Sequence, residues 1–480
     1  MGTIWIRELT GGLDTRRLPE VTPGGSLILA RDGHINRGGE FEKRAAFVKV
    51  YSLPPGTRGL AAGADKLYVF GDGADPGVPP EIGFQQLAYE GKTLARIASC
   101  DLYANKIYAV AVYDDGTRMH FYDGVVVEDW KPGNGAGRTP GDFVMTYETK
   151  VYALYDTVVA FSGVGNPTDF DPFVAGSGGA PDTGAAGAGA IDMASQVSGL
   201  EKLRAIAEYQ NYLAIFGDRV IMTWVMDVNP ENNKKAQTLK NTGTIAPLSV
   251  TQFGDADLFY LDESGVRSLR ARDSSNAAAT TDVGVAVDNL VTAKVRTLTD
   301  NERARVIGLI EPLDGRFWLI VKDEIFVFSY FPGSKVSAWT TYSPGFNIED
   351  AVVFRRKVYL RSGDDIYVYG GLGDTLVYDA TEPEVWFPYL DADQPTRLKT
   401  LTGIDVVCSG TWEVRIGMQP TDLDATDKVA VVTETTLNRE RIPATGQSTH
   451  FSLRFRGVGP GPKKLSSAVI HYDGGDGEGT

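Results

Sequence analysis

The sequence has few of the residues on which metal sites and disulfides depend. Its 480 residues include four histidines and two cysteines. No two of the histidines (His34, His120, His450 and His471) have the spacing of metal ligands, and Cys100 and Cys408 do not form a C-x-x-C pattern. We therefore predict no metal site. Because both cysteines lie within apolar, strand-like runs, we interpret them as buried free thiols rather than as a disulfide.

Sequence motifs of catalysis and of cofactor binding are also missing. The chain has no G-x-x-x-x-G-K-S/T loop, no G-x-G-x-x-G turn that follows a strand and enters a helix, and no G-x-S-x-G elbow. Acidic pairs such as Asp114-Asp115 and Asp364-Asp365 fall at predicted hairpin turns, where carboxylates commonly accept hydrogen bonds from the backbone. We predict no catalytic residues and no cofactor, and we interpret the protein as not being an enzyme.

The chain has neither a long apolar run nor an excess of basic residues. No apolar run approaches the ~20 residues that span a bilayer, and the first residues do not resemble a signal peptide. We expect a protein made in a reducing cytosol, without membrane contact. The net charge of −15 argues against a conventional nucleic-acid-binding protein. An acidic surface would nevertheless suit a passage through which DNA slides, because a basic one would retain the phosphates.

The strongest positive feature is a repeat of short apolar and aromatic runs, each followed by a polar turn and a second run. The spacing of roughly 40–60 residues is typical of the blades of a β-propeller. We predict an all-β fold with a propeller of six or seven blades over residues 58–380. The leading runs are Lys66–Phe70, Lys106–Val110, Lys150–Leu154, Tyr212–Phe216, Asp257–Leu261, Arg316–Ile320 and Lys357–Leu360.

Five segments depart from the repeat. The first, rich in Gly and Pro, is predicted to be an extended N-terminal arm with a small β platform, and it offers little to bury by itself. Two others interrupt the propeller as a long Gly/Ala-rich loop and as an excursion with a helix near 285–296. After the propeller we predict a separate antiparallel β-sandwich or barrel and then a flexible tail. In this order the segments are 1–57, 163–198, 270–305, 381–472 and 473–480.

Three arginines recur along one predicted strand, at Arg267, Arg270 and Arg272. We interpret them as an alternating basic stripe on one face of that strand. The stripe is either a solvated strand edge with ion pairs, which deters aggregation, or a contact to a neighbouring subunit or to DNA.

The N-terminal region resembles that of the tail nozzle (tail tubular) proteins of short-tailed bacteriophages. The resemblance lies in a Gly-Gly-Leu lead at Gly11–Leu13, a Pro-Gly-Gly step at Pro23–Gly25 and an ending at Lys43-Arg44. The family ends this signature on Lys-Arg-Pro, whereas this chain has Ala45. Further similarity follows along most of the chain, at Asn166–Phe170, Asn241–Pro247, Ser264–Asp273, Ser334–Trp339 and Gly410–Val414.

The resemblance implies a structural virion protein, located in the tail and assembled in the host cytoplasm. It implies a homohexameric tube built on a β-propeller, below a portal and adaptor and beside tail fibre or tail tip proteins. Viral DNA would be retained and then conducted through its lumen, without contact to a membrane. The candidate partner or assembly contacts are Gly11, Gly12, Arg16, Arg17, Lys43, Arg44, Arg267, Arg270 and Arg272. We also expect the arm to pack on a neighbouring chain or on the adaptor.

Two alternatives remain open from the sequence. The first is a propeller enzyme, a glycoside hydrolase or lyase acting on host surface polysaccharide, which would require converging carboxylates flanked by aromatic residues in the central pocket. The second is a monomeric propeller scaffold that binds proteins or peptides.

Overall fold

Nearly all regular structure in the chain is β-strand, which confirms the all-β prediction. The computed structural model describes residues 2–128, 130, 140–177, 180–196, 201–254, 257–271, 278–437 and 441–474. The first strands of the arm are β1 (Gly2–Ile6), β2 (Gly12–Leu13), β3 (Ser26–Leu27), β4 (Leu29–Arg31), β5 (Gly33–Ile35) and β6 (Phe41–Lys43).

The middle of the chain forms a series of small sheets, which we call blades 1 to 7 in chain order. Their strands are β7 (Phe47–Ser52); β8 (Arg58–Ala62), β9 (Leu67–Gly71) and β10 (Ile82–Gln86) in blade 1; β11 (Leu94–Tyr103), β12 (Lys106–Tyr113), β13 (Arg118–Tyr122) and β14 (Val125–Val126) in blade 2; β15 (Pro140–Tyr147), β16 (Lys150–Tyr155), β17 (Val158–Phe161) and β18 (Gly189–Asp192) in blade 3; β19 (Leu203–Tyr209), β20 (Tyr212–Gly217), β21 (Val220–Val225) and β22 (Lys234–Lys240) in blade 4; β23 (Thr251–Phe253), β24 (Asp257–Asp262), β25 (Gly265–Ala271) and β26 (Ala278–Asp282) in blade 5; β27 (Ile307–Glu311), β28 (Arg316–Val321), β29 (Glu324–Phe331) and β30 (Val336–Tyr342) in blade 6; and β31 (Asp350–Phe354), β32 (Lys357–Ser362) and β33 (Asp365–Tyr369) in blade 7.

The blades close into a propeller-like ring. The first strand of each blade contacts the first strand of the next, and β31 of blade 7 returns to β8 of blade 1. The early strand β7 completes blade 7 by pairing antiparallel with β33, from Phe47 opposite Tyr369 to Ser52 opposite Asp365. Closure removes open sheet edges and ties the two ends of the ring together. The ring therefore includes Phe47–Ser52, which the sequence had assigned to the arm.

The repeated apolar runs of the sequence are the second strands of the blades, from β9 to β32. Their alternating side chains pack between neighbouring blades because both faces of each sheet are covered. Aromatic rings meet across these seams. Phe216 lies 5.2 Å from Tyr260, Phe259 lies 5.1 Å from Phe317, and Trp318 lies 4.9 Å from Tyr369, as measured between ring centroids. The seams are thus the core of the ring.

The connection from blade 5 to blade 6 carries the helices α1 (Asp288–Arg296) and α2 (Asp300–Arg303). Helix α1 corresponds to the helix predicted near 285–296, and it buries Val291 and Val295 against the core. Helix α2 begins with a capping box in which Thr299 and Glu302 bond each other's backbone N–H groups. Short 3₁₀ turns occur at Pro230–Asn232, Pro247–Ser249 and Pro332–Ser334.

The C-terminal strands share one sheet with the arm. They are β34 (Glu384–Trp386), β35 (Lys399–Gly417), β36 (Thr426–Glu434), β37 (Gly446–Ser448), β38 (Ser452–Gly457) and β39 (Lys464–Gly474). Strands β1 and β6 pair with β39, while β4 pairs with β34 on one side and with β30 of blade 6 on the other. We call this joint sheet, residues 2–43 and 384–474, the platform.

The platform differs from the separate C-terminal sandwich over 381–472 that the sequence predicted. Its strands come from both ends of the chain, and its core includes Leu9 and Phe41 of the arm beside Trp412 and Phe455. Sequence periodicity identified the strands but carried no information on their long-range partners. The tail predicted over 473–480 begins as strand, because Asp473 and Gly474 are the last residues of β39 and pair with Thr400 and Lys399 of β35. Residues 475–480 lie outside the described residues.

The arm is also better anchored than its Gly- and Pro-rich sequence suggested. Ile4, Ile6, Leu9 and Leu13 are buried within the platform core. Packing against its own chain thus takes up the apolar face that we expected a neighbour to cover. Only its outward residues, such as Trp5, remain for contact with other molecules.

The Gly/Ala-rich segment 163–198 is partly ordered. It contains β18, the outer strand of blade 3, and it buries Phe170 and Met193 completely. A bridge between Val174 and Thr183 closes a hairpin-like excursion. Residues 178–179 and 197–198 lie outside the described part. The composition concealed these anchors because single buried side chains leave no periodic signal.

Candidate functional site at the mouth of the ring

All blades follow the same strand order, so their first strands run in one direction and begin at one end of the ring. We call this end the mouth. It receives the first residues of β8, β11, β15, β19, β23, β27 and β31 and the loops between the second and third strands. Loops at the ends of a propeller are free to carry polar side chains because the seams between blades already bury the apolar ones. The mouth carries many charged residues.

Asp142 joins two arginines at the seam between blades 2 and 3. Its Oδ2 lies 2.7 Å from Arg96 Nη2, and its Oδ1 accepts a hydrogen bond from Arg118 Nε. Arg96 is only 9% exposed. Burial by itself would raise the pKa of Asp142, but the two guanidinium groups hold it below the ordinary value of 3.8. The carboxylate is therefore ionised near neutral pH.

A second group of ion pairs spans blades 4 and 5. Arg219 Nη2 lies 3.2 Å from Glu263 Oε2 across the seam, and Arg204 Nε lies 2.6 Å from Asp218 Oδ1 within blade 4. All four side chains are at least 30% exposed. Pairs of this kind contribute little to stability, but they neutralise the arginines of the mouth.

A third group closes the ring between blades 6, 7 and 1. Arg361 Nη1 lies 2.7 Å from Glu349 Oε2 and 2.9 Å from Asp350 Oδ2, while its Nη2 donates to the Thr57 carbonyl. Arg305 reaches the same Glu349 at 3.6 Å. Burial raises the pKa of Asp350 although Arg361 and Arg305 oppose the shift. The buried Arg361 thus bridges the seam at which the ring closes.

A groove of about 610 Å³ runs across the mouth from blade 2 to α2. Its lining carries six carboxylates and five basic groups, so its charge is nearly balanced. The charged lining residues are Arg118, Asp142, Asp156, Glu201, Lys202, Arg204, Asp218, Arg219, Glu263, Asp300 and Arg303.

The groove does not have the form expected of a glycoside hydrolase site. No aromatic residue is present in its described lining, whereas sugar sites commonly offer aromatic faces. Asp142, which two arginines enclose, has a lowered pKa, whereas a general acid needs a raised one. The arrangement favours fixed, mutually neutralised charges over proton transfer.

Of the residues predicted as assembly contacts, Gly11, Gly12, Arg16 and Arg17 lie together on the platform side. Gly12 has φ +59°, and a Cβ there would come within 2.7 Å of the Trp339 carbonyl, so only glycine fits. Arg16 pairs with the buried Asp14 at 2.6 Å and lowers the pKa of that carboxyl. Arg16 and Arg17 are exposed, and Gly11 is exposed beside them.

Lys43 and Arg44 are inside the protein, so the interpretation of them as partner contacts does not hold in this structure. Lys43 donates to the Asp379 carbonyl at 2.6 Å, and its side chain is fully covered. Burial, and then the charge of Lys463, lowers the pKa of Lys43 to about 8. Arg44 bonds Asp32, Asp379, Thr381 and the Ala45 carbonyl. The pair fastens the arm to the ring.

The arginines predicted as a stripe do not share one face of β25, because Arg267 and Arg270 are three residues apart and successive side chains of a strand point to opposite faces. Arg267 Nη1 lies 2.8 Å from both Asp282 and Asp288, and its Nη2 bonds Ser264, so this side chain links blade 5 to α1 rather than facing a partner. Arg270 is exposed. Arg272 lies outside the described residues.

The paired arginines of the mouth were not among the predicted site residues. Arg96 and Arg204 stand near the start of first strands, and this recurrence was the available signal. Asp142, the partner of Arg96, comes from the next blade, and Asp218, the partner of Arg204, lies 14 residues further along the chain, so no local spacing reveals either pair. Cys100 and Cys408 are free, as predicted, and burial raises the pKa of Cys408 to about 11 and that of Cys100 to about 12.

The described residues contain no group of three or more His, Cys, Asp or Glu side chains that could hold a metal ion. Among the same residues, no helix is long and apolar enough to cross a membrane.

No family model matches this chain, and no curated protein matches it. Among solved structures it is similar to BamB from Moraxella catarrhalis, with 9% identity, a TM-score of 0.36 and coverage of 68% of this chain and 97% of that one. It is also similar to the computationally designed Ika8 protein, with 10% identity, a TM-score of 0.29 and coverage of 72% and 99%. A third similar structure is a candidate 6-phosphogluconolactonase from Bacteroides fragilis, with 12% identity, a TM-score of 0.31 and coverage of 69% of this chain and 89% of that one. These values are too low to transfer a function to this chain.

Proposed function

We propose that this protein is a structural component of a virion, the tail nozzle of a short-tailed bacteriophage, in which copies of the chain form a tube. In this proposal the ring is a β-propeller, and the platform is the surface through which it is attached. The tube would retain the genome below a portal and adaptor and conduct it during ejection. The protein would perform no covalent chemistry.

The observation that carries the proposal is the structural role of the residues on which the sequence resemblance rests. Gly12 lies against Trp339 of blade 6, and Arg44 bonds both Asp32 of the arm and Asp379 after blade 7. The nozzle-like signature is therefore the segment that fixes platform and ring to each other. A tube that holds pressurised DNA needs such a joint, because a loose one would leak.

The charges of the mouth support the conducting role. Arg96, Arg118, Arg204, Arg219 and Arg361 all have carboxylate partners, and the whole chain carries −15. Neutralised arginines do not hold phosphates by counterion release, so a duplex could slide past them.

We expect the purified protein to bind double-stranded DNA more weakly than about 1 μM at physiological salt, with little dependence on sequence. A titration by fluorescence anisotropy at several salt concentrations measures this. Replacing Asp218 with Asn and Glu263 with Gln should strengthen binding, because both substitutions release arginines. Submicromolar binding by the wild type with a steep salt dependence would contradict sliding and would indicate a protein that grips DNA.

The location of the protein is tested in the particle. Inactivating its gene should yield heads that package DNA but have no complete tail and lose their genome, and the supplied gene should restore infectivity. Normal tails on the mutant particles would exclude the proposed role.

A further inference from the structure

A rigid, exposed turn projects from the platform next to the mouth. The backbone N–H of Asp14 donates to the Leu27 carbonyl, and Thr15 donates to the Ala286 carbonyl through both its N–H and its hydroxyl. The Pro19 carbonyl accepts a hydrogen bond from the backbone N–H of Tyr389. The turn is thus fixed along its length. We call its outward side chains the knob: Arg16, Arg17, Leu18 and Val21.

The knob is both apolar and basic. Leu18 is 70% exposed and Val21 is 62% exposed. Large apolar side chains that are held rigidly in solvent usually mark an interaction surface. At its tip Arg17 is exposed, whereas Arg16 pairs with the buried Asp14 and Glu20 is half-buried, so Arg17 is the basic group that the knob offers.

A second exposed apolar surface has the opposite charge. The Val164 side chain and the Val228 backbone carbonyl both lie beside Gly187, where a Cβ would come within 2.8 Å of Val164 Cγ2 and 2.9 Å of that carbonyl. Backbone bridges from Pro172 to Ala185 and from Val174 to Thr183 tie the segment that carries Phe173 and Val174 to the run that leads into Gly187. We call these four side chains and the neighbouring carboxylates the patch: Val164, Phe173, Val174, Val228, Asp169 and Asp182.

The patch lies in a strongly acidic part of the chain. Residues 163–201 contain four Asp and one Glu but no Lys or Arg. Phe173 is 51% exposed and Val174 is 60% exposed, so the apolar groups are accessible among these carboxylates. A fitting partner offers apolar side chains beside a guanidinium group, as the knob does with Leu18, Val21 and Arg17.

Knob and patch lie at opposite ends of the ring. The knob is bound to Ala286, which follows the last strand of blade 5, and last strands end at the mouth. The patch lies between the third and fourth strands of blades 3 and 4, and third strands end away from the mouth. The two surfaces of one chain therefore cannot meet, but those of two copies can.

We propose that the knob of one copy docks on the patch of the next copy. Leu18 and Val21 cover the apolar centre of the patch, and Arg17 faces its carboxylates. The contact is heterologous: each pairing leaves one knob and one patch open, so copies add head to tail until the assembly closes. The inference rests on the proposed function, for which it names the contact between subunits.

The contact is tested with variants that each lose one half of it. Arg17→Glu with Leu18→Ser disables the knob, and Phe173→Ser with Val174→Ser disables the patch. A matched control, Arg356→Glu with Leu372→Ser, makes the same changes of charge and polarity as the knob variant at exposed positions of blade 7 and its following loop. Circular dichroism and a melting curve verify that each variant is folded.

Mass is measured by sedimentation velocity over a range of concentrations. We expect wild type and control to assemble beyond a dimer, and each disabled variant to remain at the chain mass of 51.9 kDa. Mixing the two disabled variants should produce a dimer and nothing larger, since each supplies the half that the other has lost. Three results would overturn the proposal. The mixture could form no dimers, or the disabled variants could assemble as the wild type does. The third result is a wild type that stays monomeric at about 100 μM, a concentration at which weak contacts form.

These outcomes are separate from those of the particle experiment. Variants that assemble normally would remove this contact and leave the nozzle role in place. Normal tails without the gene would remove the nozzle role whether or not knob and patch bind each other.

Discussion

Replacing Arg44 with Met should lower the free energy of unfolding by about 3–5 kcal/mol, because the change leaves a buried carboxylate without its countercharge. The Arg44 side chain is 2% exposed and lies 2.8 Å from Asp32, which is itself 7% exposed. Asp32 also accepts a hydrogen bond from the Ser343 N–H after blade 6. One guanidinium thus holds together the arm, the closing strand β7 and the segment after blade 7. Equilibrium urea unfolding measures the loss.

The control is Arg356→Met, which removes an exposed guanidinium and should change the free energy by less than about 0.5 kcal/mol. Arg44→Lys should lose most of the stabilisation that Arg44 provides. The lysine ammonium cannot bond Asp32, Asp379 and Thr381 at once, as the planar guanidinium does. An Arg44→Met protein within 1 kcal/mol of wild type, about the typical effect of a single substitution, would show that the joint is not held by this side chain.

Replacing Asp142 with Asn should cost about 2 kcal/mol at neutral pH, since it removes the charge that compensates Arg96 and Arg118. We expect less than for a fully buried pair because the Asp142 side chain is 24% exposed. Asp300→Asn is a control on the same groove: its carboxylate is 96% exposed, and its loss should be barely measurable.

The pH dependence of this difference follows from the lowered pKa of Asp142. The folded protein holds the carboxyl below the ordinary value of 3.8, so the ionised form contributes its full stability above that value. The contribution is lost as the pH falls through the folded-state pKa. The stabilities of wild type and Asp142→Asn should therefore converge in acid. A difference that stays constant down to pH 3, below the ordinary carboxyl pKa, would mean that the charge of Asp142 is not the cause.

The sequence predicted the repeating part of the fold because that part is local. A strand, a tight turn and another strand lie within a few residues, and their periodicity of two identified β9, β12 and the equivalent strands of other blades. The closing strand β7 could not be found in this way, because its partner β33 is more than 300 residues away. The same limit concealed the platform, in which β1 pairs with β39.

The candidate site was harder to predict than the fold. Charge in the sequence is local, whereas the carboxylate partners of Arg96 and Arg219 come from neighbouring blades. For Lys43 and Arg44 the prediction failed in the other direction. A basic dipeptide in a Gly-rich segment suggested two exposed side chains, yet the fold buries both among carboxylates and carbonyls. Arg16 and Arg17 are exposed where the sequence placed a contact, and their role in assembly remains a prediction.

Cryo-electron microscopy of the intact particle, with this chain located in the density, is the most direct test of the proposed nozzle role. We expect six copies in a closed ring below the portal and adaptor, around an axial channel wide enough for duplex DNA. We also expect the channel-facing loops to carry more Asp and Glu than Lys and Arg. A particle whose tail does not contain this chain, or that carries it only as single copies on the outer surface, would contradict the nozzle role.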